Sequence, residues 1–318
     1  MERLNAIDLV KSEKYVREPV DKEIEEILSS NKRNIILAGN RGTGRSTVLR
    51  ALENRGLGTK EQTINLSHDP LIFMSKEPSL KFNKELFNYV YELIFVNDIL
   101  CYVKNNYPLA FEKYFKKDKE LIHKFLHEFD EQLNHCWYKD TTFKTNAEPY
   151  KILYRTLDKI FDKLNVEKLN IAIDIFDKIN GSSEYVQRLY EKKFHLFNKT
   201  IIVVDDPKID EEKLSNVGYD IRQITYGKNR DVLREIIRRR YAEDEIKREL
   251  YTQDVFINKL ARQGDNIRFK LDVLRRIDIL LKWQEDDDIK EVIDRTIKYQ
   301  KEEDKNLQKI MTKPTLYL

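Results

Sequence analysis

The chain has 318 residues, 41% of them hydrophobic and 36% charged, with a formal net charge of +3. Nine glycines and seven prolines argue against long disordered linkers and repetitive β architecture, and two cysteines, Cys101 and Cys136, cannot build a disulfide framework. The near-balanced charge excludes bulk attraction to nucleic acid, and no run of about 18 apolar residues provides a membrane span, so a soluble, cytoplasmic protein without a membrane partner is expected.

In chain order, residues 17–30 place Val20, Ile24, Ile27 and Leu28 at helical spacing. NIILAG, from Asn34, is a continuous apolar run stopped by glycine and predicts a short buried strand. STVLRALENRG, from Ser46, predicts a helix ending near Gly56. QTINLS (62–67) predicts a second strand. An aromatic-rich helical stretch runs from Ser79 to about Tyr138, and PYKILYRTLDKIFDKL (149–164) is an amphipathic helix. LNIAIDIFD (169–177) reads as a buried strand ending in acids, YVQRLYEKKFHLF as a helix, TIIVVDDP (200–207) as a strand and DIRQIT (220–225) as a shorter one. Everything after Lys228 reads as helix. Strands alternating with helices predict an α/β fold, a parallel sheet covered on both faces, with a boundary near Tyr226–Gly227 and a small all-α domain beyond it.

Between the first strand and its helix stands GNRGTGRST, Gly39, Asn40, Arg41, Gly42, Thr43, Gly44, Arg45, Ser46 and Thr47. It has the layout of a phosphate-cradling loop, G-x-x-x-x-G-K-[ST], with arginine in place of lysine. The glycines let successive amides turn toward phosphate oxygens, and the helix adds its positive end. Ser46 is placed to bind Mg²⁺ through its hydroxyl. Arg45 keeps the charge, but as a planar fork that fits a lysine niche poorly. Such a loop needs an acid at a neighbouring strand tip to hold the metal, and Asp174 supplies it. The next position, a glutamate in hydrolysing proteins of this layout, is Ile175. Asp177 is close in sequence, but strand alternation puts it on the opposite face from Asp174. Nucleotide binding with Mg²⁺ is expected, with hydrolysis weak or absent.

These residues resemble the AAA+ ATPases, and within them the origin-recognition and cell-division-control initiators with their related transposon-regulator ATPases. REPVDKEIEEIL (Arg17 to Leu28) is similar to the segment those proteins carry ahead of the first strand. GNRGTGRST stands at Walker A, IAIDIFD at Walker B and TIIVVDDP at sensor 1. ITYGKNRDVLREIIRRRYAED is similar to the start of the helical lid, and GDNIRFKLDVLRRI (Gly264 to Ile277) to the sensor 2 helix. The resemblance implies a P-loop NTPase domain over 1–226 with a helical insert at about 68–148. A lid follows over 227–300, then a tail at 301–318. It implies ATP between the sheet domain and the lid, with Arg268 reaching the γ-phosphate and Asp174 acting at the catalytic centre. It also implies homo-oligomers and protein partners. Asp205 or Asp206 falls near sensor 1, where the family usually has a neutral polar residue, and Arg222 is a candidate arginine finger. After the sensor 2 helix, about forty residues are too few for the winged-helix DNA-binding domain that such initiators add.

Other features have ordinary readings. His123 and His127 are one helical turn apart, with His135 and Cys136 following, but a packed or solvated helix face accounts for them better than a metal. The aromatic run Phe82, Phe87, Tyr89, Tyr91, Phe95, Tyr102, Tyr107, Phe111, Tyr114, Phe115 could stack bases, yet its helical spacing among aliphatics favours a core or a docking surface. Lys228 to Arg276 holds 14 basic against 9 acidic side chains, a local excess suited to DNA phosphates or to neighbouring subunits.

Two functions follow. One is an ATP-binding switch, at most a weak ATPase, in DNA replication initiation, helicase loading or mobile-element maintenance. The other is a non-hydrolysing nucleotide-binding scaffold that docks proteins through the 68–148 insert.

Overall fold

The computed structural model describes residues 15–40, 42–67, 84–139, 149–174, 196–204, 211–216, 218–281 and 289–312. They fall into two compact units. One comprises Val20–Gly39 with Arg45–Gln223; the other comprises Ile224–Leu318 with Asn40–Gly44 and the stretch ending at Pro19.

The first unit is built on five parallel strands, β1 (Asn34–Ala38), β2 (Glu61–Ser67), β3 (Lys168–Asp174), β4 (Lys199–Val204) and β5 (Tyr219–Gln223), in the order β2-β3-β4-β1-β5. Each corresponds to a strand expected from sequence, its start agreeing to within one residue; the expected strand residues 175–177 and 205–207 lie outside the described residues. Alternation along the strands sorts their side chains onto two faces. Ile36, Ile64, Leu66, Leu169, Ile171, Ile173 and Ile202 join one buried cluster. Ile35, Leu37, Ala172, Ile201 and Val203, of opposite parity, are equally buried on the other face. A sheet buried on both sides is what continuous apolar strands demand.

Helices α1 (Arg17–Ser29) and α2 (Arg45–Gly56) flank β1 in sequence. Val48, Leu49 and Leu52 of α2 are buried but stand outside the first cluster, so α2 covers the second face. The first face is covered by α3 (Lys84–Asn106), α4 (Lys116–Lys139) and α5 (Pro149–Lys163). A short turn at Pro108–Ala110 and a π-helical turn at Phe111–Phe115 join α3 to α4. Phe95, Tyr102, Phe111 and Phe115 lie in this core, with Phe95 set edge-on to Phe197 at 5.7 Å. Tyr107 and Tyr114 pack partly buried against it. For these aromatics, core packing is the outcome; Phe82 and the side chains of Phe87, Tyr89 and Tyr91 lie outside the described residues. The short helix α6 (Glu211–Asn216) precedes β5. A parallel sheet with helices on both faces and a glycine loop joining β1 to α2 is the α/β fold of P-loop NTPases. Most of the expected helix YVQRLYEKKFHLF lies outside the described residues.

The second unit is all-α: α7 (Arg230–Arg240), α8 (Glu245–Thr252), α9 (Asp254–Ala261), α10 (Ile267–Leu281) and α11 (Ile289–Thr312). Side-chain caps start α7 and α8. Asn229 accepts from the Asp231 and Val232 amides, and Asp244 from Lys247. Leu233, Ile237, Tyr251, Ile257, Val273 and Ile293 are among its core residues. Inside that core the Tyr241 and Tyr251 hydroxyls donate to the two carboxylate oxygens of Asp278, at 2.8 and 2.7 Å.

Candidate nucleotide site

β1 stops at Ala38 and α2 begins at Arg45. Between them Gly39, Gly42 and Gly44 take φ of 148°, 86° and 107°, values that strain any residue with a Cβ. Arg45 is buried in the first turn of α2, with Ser46 and Thr47 half-buried beside it. The first amides of a helix have no partner within it and favour an anion. Thr43 is fully buried, and its hydroxyl oxygen has no hydrogen-bond partner among the described residues. A buried hydroxyl left in that state fits a loop that closes around a polar ligand. Arg41 lies outside the described residues.

Asp174 is the last residue of β3, half-buried, in register with Ser67 on β2 and Val203 on β4. Val203 pairs in turn with Leu37 on β1. Asp174 therefore lies two strands from β1, about 10 Å across the sheet, level with a residue just ahead of Gly39. Asp174 and Ser46 each carry a hard oxygen donor, the chemical type that Mg²⁺ takes directly or through water. The expected partners at 175, 177, 205 and 206 lie outside the described residues.

Within the second unit, the loop segment Asn40–Gly44 meets α10. The Gly42 carbonyl accepts from the amides of Ile267 at 3.0 Å and Arg268 at 3.4 Å. A Cβ added to Gly42 would stand 2.3 Å from the Asn266 side-chain oxygen and 3.0 Å from Arg268 Cβ. The structure thus brings the Arg268 backbone beside the loop and leaves its side chain exposed with no partner among the described residues. On the other flank a Cβ on Gly44 would meet the Tyr226 ring at 3.3 Å.

Three residues of this arrangement escaped the sequence reading. Asn266 caps α10 by accepting from the Phe269 amide at 2.8 Å. Tyr226 covers Gly44 and donates its hydroxyl to the Pro19 carbonyl. Lys270, counted only as part of a basic patch, is fully buried and donates to the carbonyls of Gly227 and Gly264. Burial lowers its pKa to about 8, against the pull of Asp265 and helped by Lys228. The signal for Lys270 was present: with Ile267, Leu274 and Ile277 it shares the apolar stripe of α10. Gly227 is there because a Cβ would lie 2.0 Å from the Asp265 carbonyl oxygen.

Arg222, the arginine-finger candidate, is occupied within its own unit. Its Nη1 meets Glu26 at 2.8 Å and Glu23 at 3.2 Å, and its Nε meets Asp220 at 3.3 Å, fastening α1 to β5. Burial raises the Glu23 pKa, with Arg222 opposing the rise. His123 and His127 are exposed, and no cluster of three metal-type ligands occurs among the described residues; the His135 and Cys136 side chains lie outside them. Much of the basic patch is neutralised. Arg234 pairs with Asp231 and Asp254, Arg239 with Glu235, Arg248 with Glu245, and Arg276 with Glu303. Arg230, Arg238, Arg262 and Arg275 remain exposed. No described helix is long and apolar enough to cross a membrane.

Neither a protein-family model nor a curated protein matches the chain. Among solved structures it is similar to the crystal structure of Cdc6p from Pyrobaculum aerophilum, at 10% sequence identity and a TM-score of 0.41, over 86% of this chain. The matched region spans 66% of that protein's length. The strand order and the glycine loop carry the fold by themselves.

Proposed function

We propose that the chain is an AAA+ type ATP-binding switch with weak or absent hydrolysis, acting in DNA replication initiation, helicase loading or mobile-element maintenance. The observation that carries nucleotide binding is the β1–α2 loop, with three positive-φ glycines opening onto a helix start. The amides of residues 40–46 would hold the phosphates, Ser46 and Asp174 the Mg²⁺, and Arg268 the γ-phosphate. Bound Mg²⁺ would neutralise phosphate charge. Arg45 and Ile175 support slow turnover, since neither supplies the lysine contact or the water-activating carboxylate of a hydrolysing site.

Calorimetry with Mg²⁺ and ATP or GTP tests the first claim. Binding should be seen with the wild type and fall at least ten-fold in Asp174→Ala or Gly44→Val. Absence of heat with both nucleotides sinks the reading. DNA anisotropy with and without ATP tests the pathway, which is abandoned if neither state binds. The scaffold alternative draws less support, because the described aromatics of the 68–148 segment are packed into the core of the sheet unit.

A further inference from the structure

We propose that the first turn of α10 is a backbone latch that holds the phosphate loop in a form unready for phosphate, and that filling the loop releases it. The latch is read from peptide geometry; its consequence for ligand rests on the nucleotide reading above. The Gly42–Thr43 peptide is fixed at both ends. Its carbonyl takes the Ile267 and Arg268 amides, and its N–H donates to the Asn40 carbonyl at 3.3 Å. A peptide unit is planar, so its C=O and N–H turn together. For the Thr43 amide to leave Asn40 and face a phosphate oxygen, the Gly42 carbonyl must swing off α10.

The opposite side of the contact is equally committed. Ile267 and Arg268 are the first two residues of α10, whose early amides have no partner inside the helix. Gly42 takes two of them, and the Asn266 side chain takes the third, from Phe269. That end of α10 therefore faces a carbonyl oxygen, and phosphate at the Thr43 amide comes at the expense of this pairing. The grip is held from two sides. Tyr226 lies over Gly44 while Asn266 and Arg268 abut Gly42. Lys270 ties the two flanks together through the carbonyls of Gly227 and Gly264. No side chain at position 42 fits this approach. The lid thus senses the loop through a main-chain bond, with the exposed Arg268 guanidinium left for the ligand.

Ile267→Pro tests this directly. Proline is tolerated at the first helical position, so the change deletes the 3.0 Å donor while keeping α10. Ile267→Ala, which keeps the amide and loses the same side chain, is the control. Ile267→Pro should bind Mg²⁺-ATP about five-fold more tightly than wild type, the worth of one net hydrogen bond, with Ile267→Ala near wild type. Unchanged or weaker binding in the proline variant overturns the proposal, as does equal tightening in the alanine control. Hydrogen exchange of the ligand-free protein supplies a second arm. The Arg268 amide should be protected in wild type and exchange about five-fold faster in Ile267→Pro. A fast amide in wild type removes the latch whatever the loop binds, whereas a slow amide with no nucleotide binding leaves the latch and removes the nucleotide reading.

Discussion

Lys270 gives the sharpest stability prediction. Its side chain is fully buried and donates to the carbonyl oxygens of Gly227 and Gly264, with Asp265 and Lys228 the charged groups that act on it. Its pKa falls from 10.5 to about 8 on folding. Between these values the unfolded chain keeps the proton and the folded chain has released it, so stability rises with pH across this window. Each ten-fold difference in proton affinity is worth about 1.4 kcal/mol, and between pH 7 and pH 9.5 the gain amounts to about 2 kcal/mol. Lys270→Met removes the titrating group while retaining most of its length. Urea unfolding of both proteins at the two pH values isolates the effect as the change in their difference. Wild type should gain about 2 kcal/mol on the variant at the higher pH. A difference that stays flat or shrinks as pH rises refutes the account of a buried cation desolvated at this position.

Asp278→Ala leaves the Tyr241 and Tyr251 hydroxyls buried without their acceptor and should cost about 2–4 kcal/mol in urea unfolding, with Asp278→Asn milder; a loss below about 0.5 kcal/mol contradicts this. Arg222→Ala should cost about 1 kcal/mol by unfastening α1 from β5 while nucleotide affinity, read by calorimetry, stays put. Burial raises the pKa of Tyr102, Tyr241 and Tyr251 far above 10. Their contribution is therefore intact below the unfolded pKa and is lost as pH climbs beyond about 10, so thermal midpoints should fall steeply there. A midpoint that stays flat above that pH would show these hydroxyls ionising in place.

The strands were legible because a sheet buried on both faces writes itself as uninterrupted apolar runs, as NIILA and LNIAI do. The phosphate loop was legible because its glycines are needed at positive φ. Strand order was not, since pairing is long-range and every strand is similarly apolar. Nor was the grip on Gly42, which is made by main-chain atoms that any sequence possesses. Two inward-facing charges could have been found. Lys270 and Asp278 both fall on the apolar side of α10, where a charged residue requires a specific partner. Arg222 misled because an arginine on a strand looks the same whether it faces a neighbouring subunit or, as here, three carboxylates of its own unit.

The position of β1 has a consequence for biosynthesis. Both neighbours that cover the edges of this apolar strand, β4 and β5, lie about 165 and 185 residues further along the chain. At ribosomal speeds of about 5–20 residues per second, its open edges wait roughly ten to forty seconds for their partners to be synthesised. Nascent chains truncated before Tyr219 should consequently be sticky and dependent on holding chaperones, and slowing translation ahead of β4 should lower the soluble yield of the full-length protein.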